Sequence, residues 1–191
     1  MPTDTAFDAD ALTTWARALL EARGVELGKA DAVARILIEG DLLGHDTHGL
    51  ALLGPYLRKL DQGELLGHGE VEVLSDRPAA LLWDGHKLPG PWLMLQAIAT
   101  ASARARDMGT ATVVIRRSGH IACLAAYLEA PAQDGLLVEI HSSDPSVASV
   151  APFGGKSAVF TPNPLAVGVP TSGDPVMIDI STSLLVTRHR S

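Results

Sequence analysis

The chain has 191 residues, 47% of them hydrophobic, with a net charge of -7 and a pI near 5.4. That apolar content supports a true core in one domain or two small ones, and an acidic body with scattered arginines excludes a basic stripe for nucleic acid. No apolar run approaches the roughly 18 residues that span a bilayer. Asp4, Asp8 and Asp10 stand where a secretory signal would be basic then apolar, and the lone Cys123 forbids an internal disulfide, so a cytoplasmic protein with no membrane partner is expected.

A first helix is expected over 8–24: Asp8 suits the N-cap, Leu12, Trp15, Ala16, Leu19 and Leu20 share a face, and Gly24 stops it. Ala30, Val33, Leu37 and Ile38 mark a second helix up to Leu43, and Leu53, Tyr56, Leu57 and Leu60 a third that ends at Gln62-Gly63. Between them lies Gly44-His45-Asp46-Thr47-His48-Gly49. It packs two imidazoles, a carboxylate and a hydroxyl into a glycine-bracketed joint, where glycine permits positive φ and close approach of a ligand.

The period then changes. Residues 71–73 alternate like a strand, 80–83 read as another, and Gly90-Pro91 leads into an Ala-rich helix over 92–108 that Gly109 breaks. Residues 112–115 are β-branched and apolar, as in a strand with both faces covered, and an Ala-rich stretch over 121–133 reads as a helix feeding a strand over 136–140. Short strands over 158–160, 165–169 and 176–180 follow, separated by Pro and Gly turns with no helix between them. The fold class is therefore α/β, with a helical N-terminal subdomain over 1–70 and a mixed-sheet α/β domain over 71–191.

Four segments carry candidate chemistry. The joint holds His45, Asp46 and His48, which are metal-competent, but no H-E-x-x-H spacing or downstream cluster completes a site, so no metal is expected. Equally, its polar side chains could simply cap two helix ends. Ser118-Gly119-His120 sits between the strand at 112–115 and the expected helix at 121–133, a strand-to-helix turn where free N–H groups and a helix dipole favour active-site groups; the alternative is a capping histidine. His141-Ser142-Ser143-Asp144-Pro145 ends a strand and also fits an Asx or Ser turn. Gly155-Lys156-Ser157 imitates the end of a P-loop, but the glycine required five residues earlier is Val150, and no G-x-G-x-x-G follows a strand.

The succession of the His45–His48 joint, Ser118-Gly119-His120, Ser143-Asp144-Pro145, Ala151-Pro152-Phe153-Gly154-Gly155, Asn163-Pro164 and Asp179-Ile180-Ser181-Thr182-Ser183 resembles the malate/L-lactate dehydrogenase family, which includes ureidoglycolate, sulfolactate and diketogulonate oxidoreductases. The resemblance runs from about Ala6 to Ser183. It implies a cofactor domain that is not a Rossmann fold, an oxidoreductase using NAD or NADP, a 2-hydroxy or 2-oxo acid substrate, and a homodimer. It further implies that His48 and His120 are catalytic, that Thr47 and His48 contact substrate, and that Ser143, Asp179, Ile180 and Ser181 contact the cofactor.

Departures accompany the match. Leu52 stands where many members carry an arginine suited to a substrate carboxylate, Ala122 replaces a usual glycine, and Thr161-Pro162-Asn163-Pro164 stands where Gly-Thr-Asn-Pro is common. Members continue well beyond the Asp179 segment, so the α/β domain is expected to be C-terminally truncated. Two readings follow: an oxidoreductase subunit or its N-terminal portion, and a truncated, catalytically silent remnant that only associates with other subunits. The basic tail Arg188-His189-Arg190, unlike the acidic body, is what an interrupted sequence would leave, and a natural basic tail is the alternative.

Overall fold

The computed structural model describes residues 6–181 and Ser183; Thr182, Asp4 and the basic tail lie outside the described residues. Helix α1, Ala9–Glu21, begins where the Asp8 carboxylate accepts the Ala11 N–H at 2.7 Å. It buries Ala16 and Leu20 against α2, Leu27–Leu42, which in turn buries Ala30, Val33, Leu37 and Ile38. Two single turns of 3-10 helix follow, Asp46–His48 and Leu50–Leu52, and lead into α3, Leu53–Asp61. Leu53 and Tyr56 face inward from α3.

Strands β1, Glu72–Arg77, and β2, Ala80–Asp84, form an antiparallel hairpin, and β3, Thr112–Arg116, joins β2 in parallel. A parallel pair needs a crossover. Helix α4, Gly90–Met108, supplies it and ends at Gly109 with φ of +79°. Leu81, Trp83 and Ala97 form the core under this sheet, with Val71, Val113 and Ile115 packed around them.

Chain contacts divide the protein into two compact units between Tyr127 and Leu128. The division drawn from sequence at 70/71 falls inside the first unit, because α4 packs on α2 and so ties the β1–β3 layer to the N-terminal helices. The second unit opens with the short helix α5, Glu129–Gln133, followed by an antiparallel sheet of β4, Val138–His141, β5, Leu165–Val169, and β6, Val176–Ile180. Gly168 of β5 is pressed on the chain at Leu128, where a Cβ would lie 3.1 Å from the Leu128 carbonyl oxygen. Among the described residues no helix is long and apolar enough to cross a membrane.

Two expectations need correction. The helix read over 121–133 is not continuous: residues 117–124 are irregular, a 3-10 turn spans Ala125–Tyr127, and α5 has five residues. Arg117 and Ala122 adopt positive φ, 54° and 56°, which no α-helix accommodates, and Pro131 withholds one N–H. The strand read over 158–160 reduces to one bridge between Val150 and Phe160. The mixed α/β fold itself stands, as two sheets of three strands, the first mixed and the second antiparallel.

Candidate active site

The helix joint is built around two glycines. A Cβ on Gly49 would sit 1.9 Å from Asp41 Oδ1, and one on Gly40 would meet the His48 carbonyl oxygen at 3.0 Å and Cys123 Cβ at 3.3 Å. A side chain at Gly49 would displace the Asp41 carboxylate, and one at Gly40 would push its neighbours back by a few tenths of an ångström. Asp41, exposed at the end of α2, accepts the Leu50 N–H at 2.8 Å, while the His45 N–H reaches the Gly40 carbonyl and the His48 N–H the His45 carbonyl, each at 2.8 Å. His48 is thereby presented on the surface of a tight turn, its Nδ1 2.9 Å from the Thr47 hydroxyl.

His120 arrives from the other side of the same unit on the irregular segment after β3. Its backbone crosses the start of α4 so closely that a Cβ on Gly90 would lie 2.4 Å from the carbonyl oxygens of both Gly119 and His120. The Gly119 N–H donates to the Leu88 carbonyl at 2.9 Å. Buried Tyr56, from α3, donates its hydroxyl hydrogen to the His120 carbonyl at 2.8 Å, and its oxygen lies 3.1 Å from His120 Nδ1. Burial pushes the Tyr56 hydroxyl well above the ordinary tyrosine range, opposed by a weaker hydrogen bond with the Ala122 backbone, so it stays protonated.

His120 Nδ1 also accepts the Ala122 N–H at 3.1 Å. A backbone amide can only donate, so this bond uses the Nδ1 lone pair and puts the proton of the neutral ring on Nε2. Expected to open a helix, His120 is held instead by Tyr56 and by the positive φ of Ala122. The helix dipole has no part in its setting.

The two rings come together. The centroids of His48 and His120 are 5.8 Å apart with planes inclined by 26°, and the Tyr56 ring stands edge-on to His120 at 6.1 Å. Two imidazoles at this distance can address adjacent atoms of one small ligand, one orienting it and the other exchanging a proton. Tyr56 escaped the sequence reading because it sat in an apolar stripe; its hydroxyl was the available signal. An apolar groove of 410 Å³ lined by Trp15, Leu19, Leu50 and Leu57 lies beside the joint and contains neither histidine.

The residues assigned to the cofactor lie in the second unit. The register pairs His141 with Leu165 and Leu165 with Ile180, so Ser143, just past β4, and Ser181, just past β6, leave the sheet at one end. The Ser142 N–H donates to the Pro164 carbonyl at 3.2 Å and the Ser181 hydroxyl to that of Pro162 at 3.5 Å, joining both exits to the Thr161–Pro164 turn. Asp179 is half-buried opposite fully buried Ala166, while Ile180 is 50% exposed. Two hydroxyls and a carboxylate at one sheet end suit the hydroxyl and phosphate groups of a dinucleotide.

Three comparisons bear on this arrangement. The family model described as malate/L-lactate dehydrogenase matches residues 7–188. Hydroxycarboxylate dehydrogenase B of Escherichia coli O157:H7 is 33% identical over 181 residues, 94% of this chain and 50% of that protein. The (2R)-3-sulfolactate dehydrogenase (NADP(+)) of Chromohalobacter salexigens is 33% identical over 171 residues, 89% of this chain and 50% of that protein. A solved dehydrogenase structure from Sinorhizobium meliloti superposes with a TM-score of 0.88 at 34% identity, covering 95% of this chain and 53% of that one. The chain spans about half the length of the curated relatives it matches.

Proposed function

The chain belongs to the malate/L-lactate dehydrogenase family, and we propose that it serves as an NAD- or NADP-dependent oxidoreductase, homodimeric when assembled, that interconverts 2-hydroxy and 2-oxo acids. The observation that carries this reading is the pair of imidazoles 5.8 Å apart, one of them positioned by Tyr56 and the Ala122 N–H. A bound nicotinamide supplies or takes up the hydride. The chain's own residues handle the proton and the substrate.

His120 is the proton carrier in this reading. To carry a proton the resting neutral ring takes up a second one at Nδ1, exchanging its Ala122 bond for one to the Tyr56 oxygen 3.1 Å away; the imidazolium then gives its Nε2 proton to the oxygen left negative when a carbonyl is reduced, and Nε2 takes one back in the reverse direction. His48 and Thr47 orient the substrate: the short Thr47–His48 contact couples a hydroxyl to the ring. With Leu52 rather than a cation in the joint, the substrate carboxylate must find its partner elsewhere. In the second unit, Ser143, Asp179, Ile180 and Ser181 hold the coenzyme: the serine hydroxyls meet its phosphates or ribose, the Asp179 carboxylate accepts from its ribose hydroxyls and Ile180 offers an apolar contact.

A second reading, in which this chain is silent and only associates with other subunits, draws on β6. Val176, Met177, Ile178 and Ile180 are each 36–50% exposed on a strand that is the sheet edge among the described residues. The test is direct. Purified chain is mixed with NADH or NADPH and with pyruvate, glyoxylate or oxaloacetate, while coenzyme oxidation and particle size are followed together. Saturable oxidation of one coenzyme supports the oxidoreductase. Association without oxidation supports the silent subunit.

A further inference from the structure

Outside the histidine pair, one carboxylate is fully buried among the described residues of the first unit, Asp84, at the end of β2. Register places it directly between Glu72 on β1 and Arg116 on β3. A buried charge is tolerated only when paired and hydrogen-bonded, and Asp84 is paired on every side. It accepts Arg116 Nε at 2.8 Å, Arg117 Nε at 2.8 and 2.9 Å, Arg117 NH2 at 2.7 Å and the His86 backbone N–H at 2.9 Å. Arg117 NH2 also donates to His86 Nδ1 at 2.8 Å, which leaves His86 Nε2–H to donate to Glu72 at 2.9 Å. The ligand atoms of Glu72, Asp84 and His86 converge within 4.8 Å, but the Arg117 guanidinium already stands there as their cation.

The backbone around this carboxylate is strained. His86, Lys87 and Arg117 have φ of 47°, 62° and 54°, conformations that L-residues keep only when their surroundings hold them. The two strained stretches are laced together: Gly85 N–H to the Arg116 carbonyl at 2.8 Å, Lys87 N–H to the Arg117 carbonyl at 2.7 Å, and Gly119 N–H to the Leu88 carbonyl at 2.9 Å. Three residues past Arg117 comes His120.

We propose that Asp84 is a positioning residue for His120: by gripping Arg117 and the His86 amide, its carboxylate fixes the strained crossing of the 85–90 and 116–120 segments and so keeps the His120 ring against the Ala122 N–H. Tyr56 anchors the segment from α3, and Asp84 anchors it from the sheet. The proposal rests on His120 as the proton carrier. Its readout is spectroscopic, so it stands or falls separately from turnover.

The experiment uses the full chain with nitrogen-15 label, comparing the unmodified protein with Arg117→Lys, which keeps the charge but loses the two-nitrogen grip, and with Asp84→Asn. In the unmodified protein the His120 ring shows one tautomer, protonated at Nε2, and the Ala122 amide exchanges slowly. In folded Arg117→Lys and Asp84→Asn the single-tautomer signature is lost and Ala122 exchanges at least about tenfold faster, while the His141 ring is unchanged. An unmoved tautomer and an unmoved Ala122 amide in either folded variant overturn the proposal. So does failure of both variants to fold, which makes the network a stability element alone.

Discussion

Replacing Gly90 with Ala perturbs the candidate site while leaving both histidine side chains in the sequence. The added Cβ would lie 2.4 Å from the Gly119 and His120 carbonyl oxygens, whereas such contacts essentially never fall below 3.0 Å, so the crossing must open by at least about 0.6 Å. Both obstructing atoms are backbone, and overpacking of this kind costs about 1–3 kcal/mol. The gain from replacing glycine in a helix, about 0.5–1 kcal/mol, offsets part of that. With a urea dependence of ~2 kcal/mol per molar, the net loss of about 0–2.5 kcal/mol should lower the unfolding midpoint by up to ~1.2 M. Because the displaced carbonyl is that of His120, any turnover should fall by roughly a hundredfold, the loss expected from a misplacement near 1 Å. Gly28→Ala is the control, since nothing lies within 4 Å of its Cβ, and it should leave the midpoint unchanged or raise it. A Gly90→Ala protein as stable as its parent, with the Ala122 amide equally protected, refutes the close crossing.

Two further outcomes concern ionisation. The two tyrosines, Tyr56 and Tyr127, are both raised by burial, so their folded values lie above the unfolded one and the stability they contribute is complete below about pH 10 and lost as pH rises further. A spectrophotometric titration should therefore show phenolate appearing only together with alkaline unfolding; independent titration near pH 10 contradicts their burial. Asp84 is held well below the usual carboxylate range, chiefly by its hydrogen bonds with Arg117, so its contribution is present above about pH 4 and lost as pH falls toward its folded value. The stability gap between the unmodified protein and Asp84→Asn should thus be widest near pH 7 and narrow below pH ~4, read from urea midpoints; a gap independent of pH counts against the charge pairing.

What the sequence could and could not disclose divides along physical lines. Helices α1 to α4 announce themselves through 3.6-residue apolar spacing and through Asp8 and Gly109, because a cap and a stop are local. The stretch after β3 misleads for the opposite reason: alanine favours a helix, but the tertiary crossing at Gly90 and Gly119 drives Arg117 and Ala122 to positive φ and overrides that preference. His48 stands out because its joint is bracketed by Gly44 and Gly49, and His120 because it follows Gly119 just past a strand, whereas Tyr56 hides within an apolar stripe. Asp84 is illegible for a further reason. Its partner Arg116 is 32 residues away and faces it only through the parallel β2–β3 register, which no local pattern encodes.

A double-mutant cycle tests most directly whether His48 and His120 form one proton-transferring site. Turnover and coenzyme affinity are measured for the unmodified chain, His48→Asn, His120→Asn and the pair, with the 2-oxo acid that supports the fastest coenzyme oxidation. The account predicts that each single change lowers turnover by about a hundredfold or more with coenzyme affinity nearly unchanged, and that the double variant is hardly worse than the weaker single one, as expected for groups that act as a unit. Absence of turnover in the unmodified chain, full turnover in either single variant, or losses that simply multiply in the pair contradicts it.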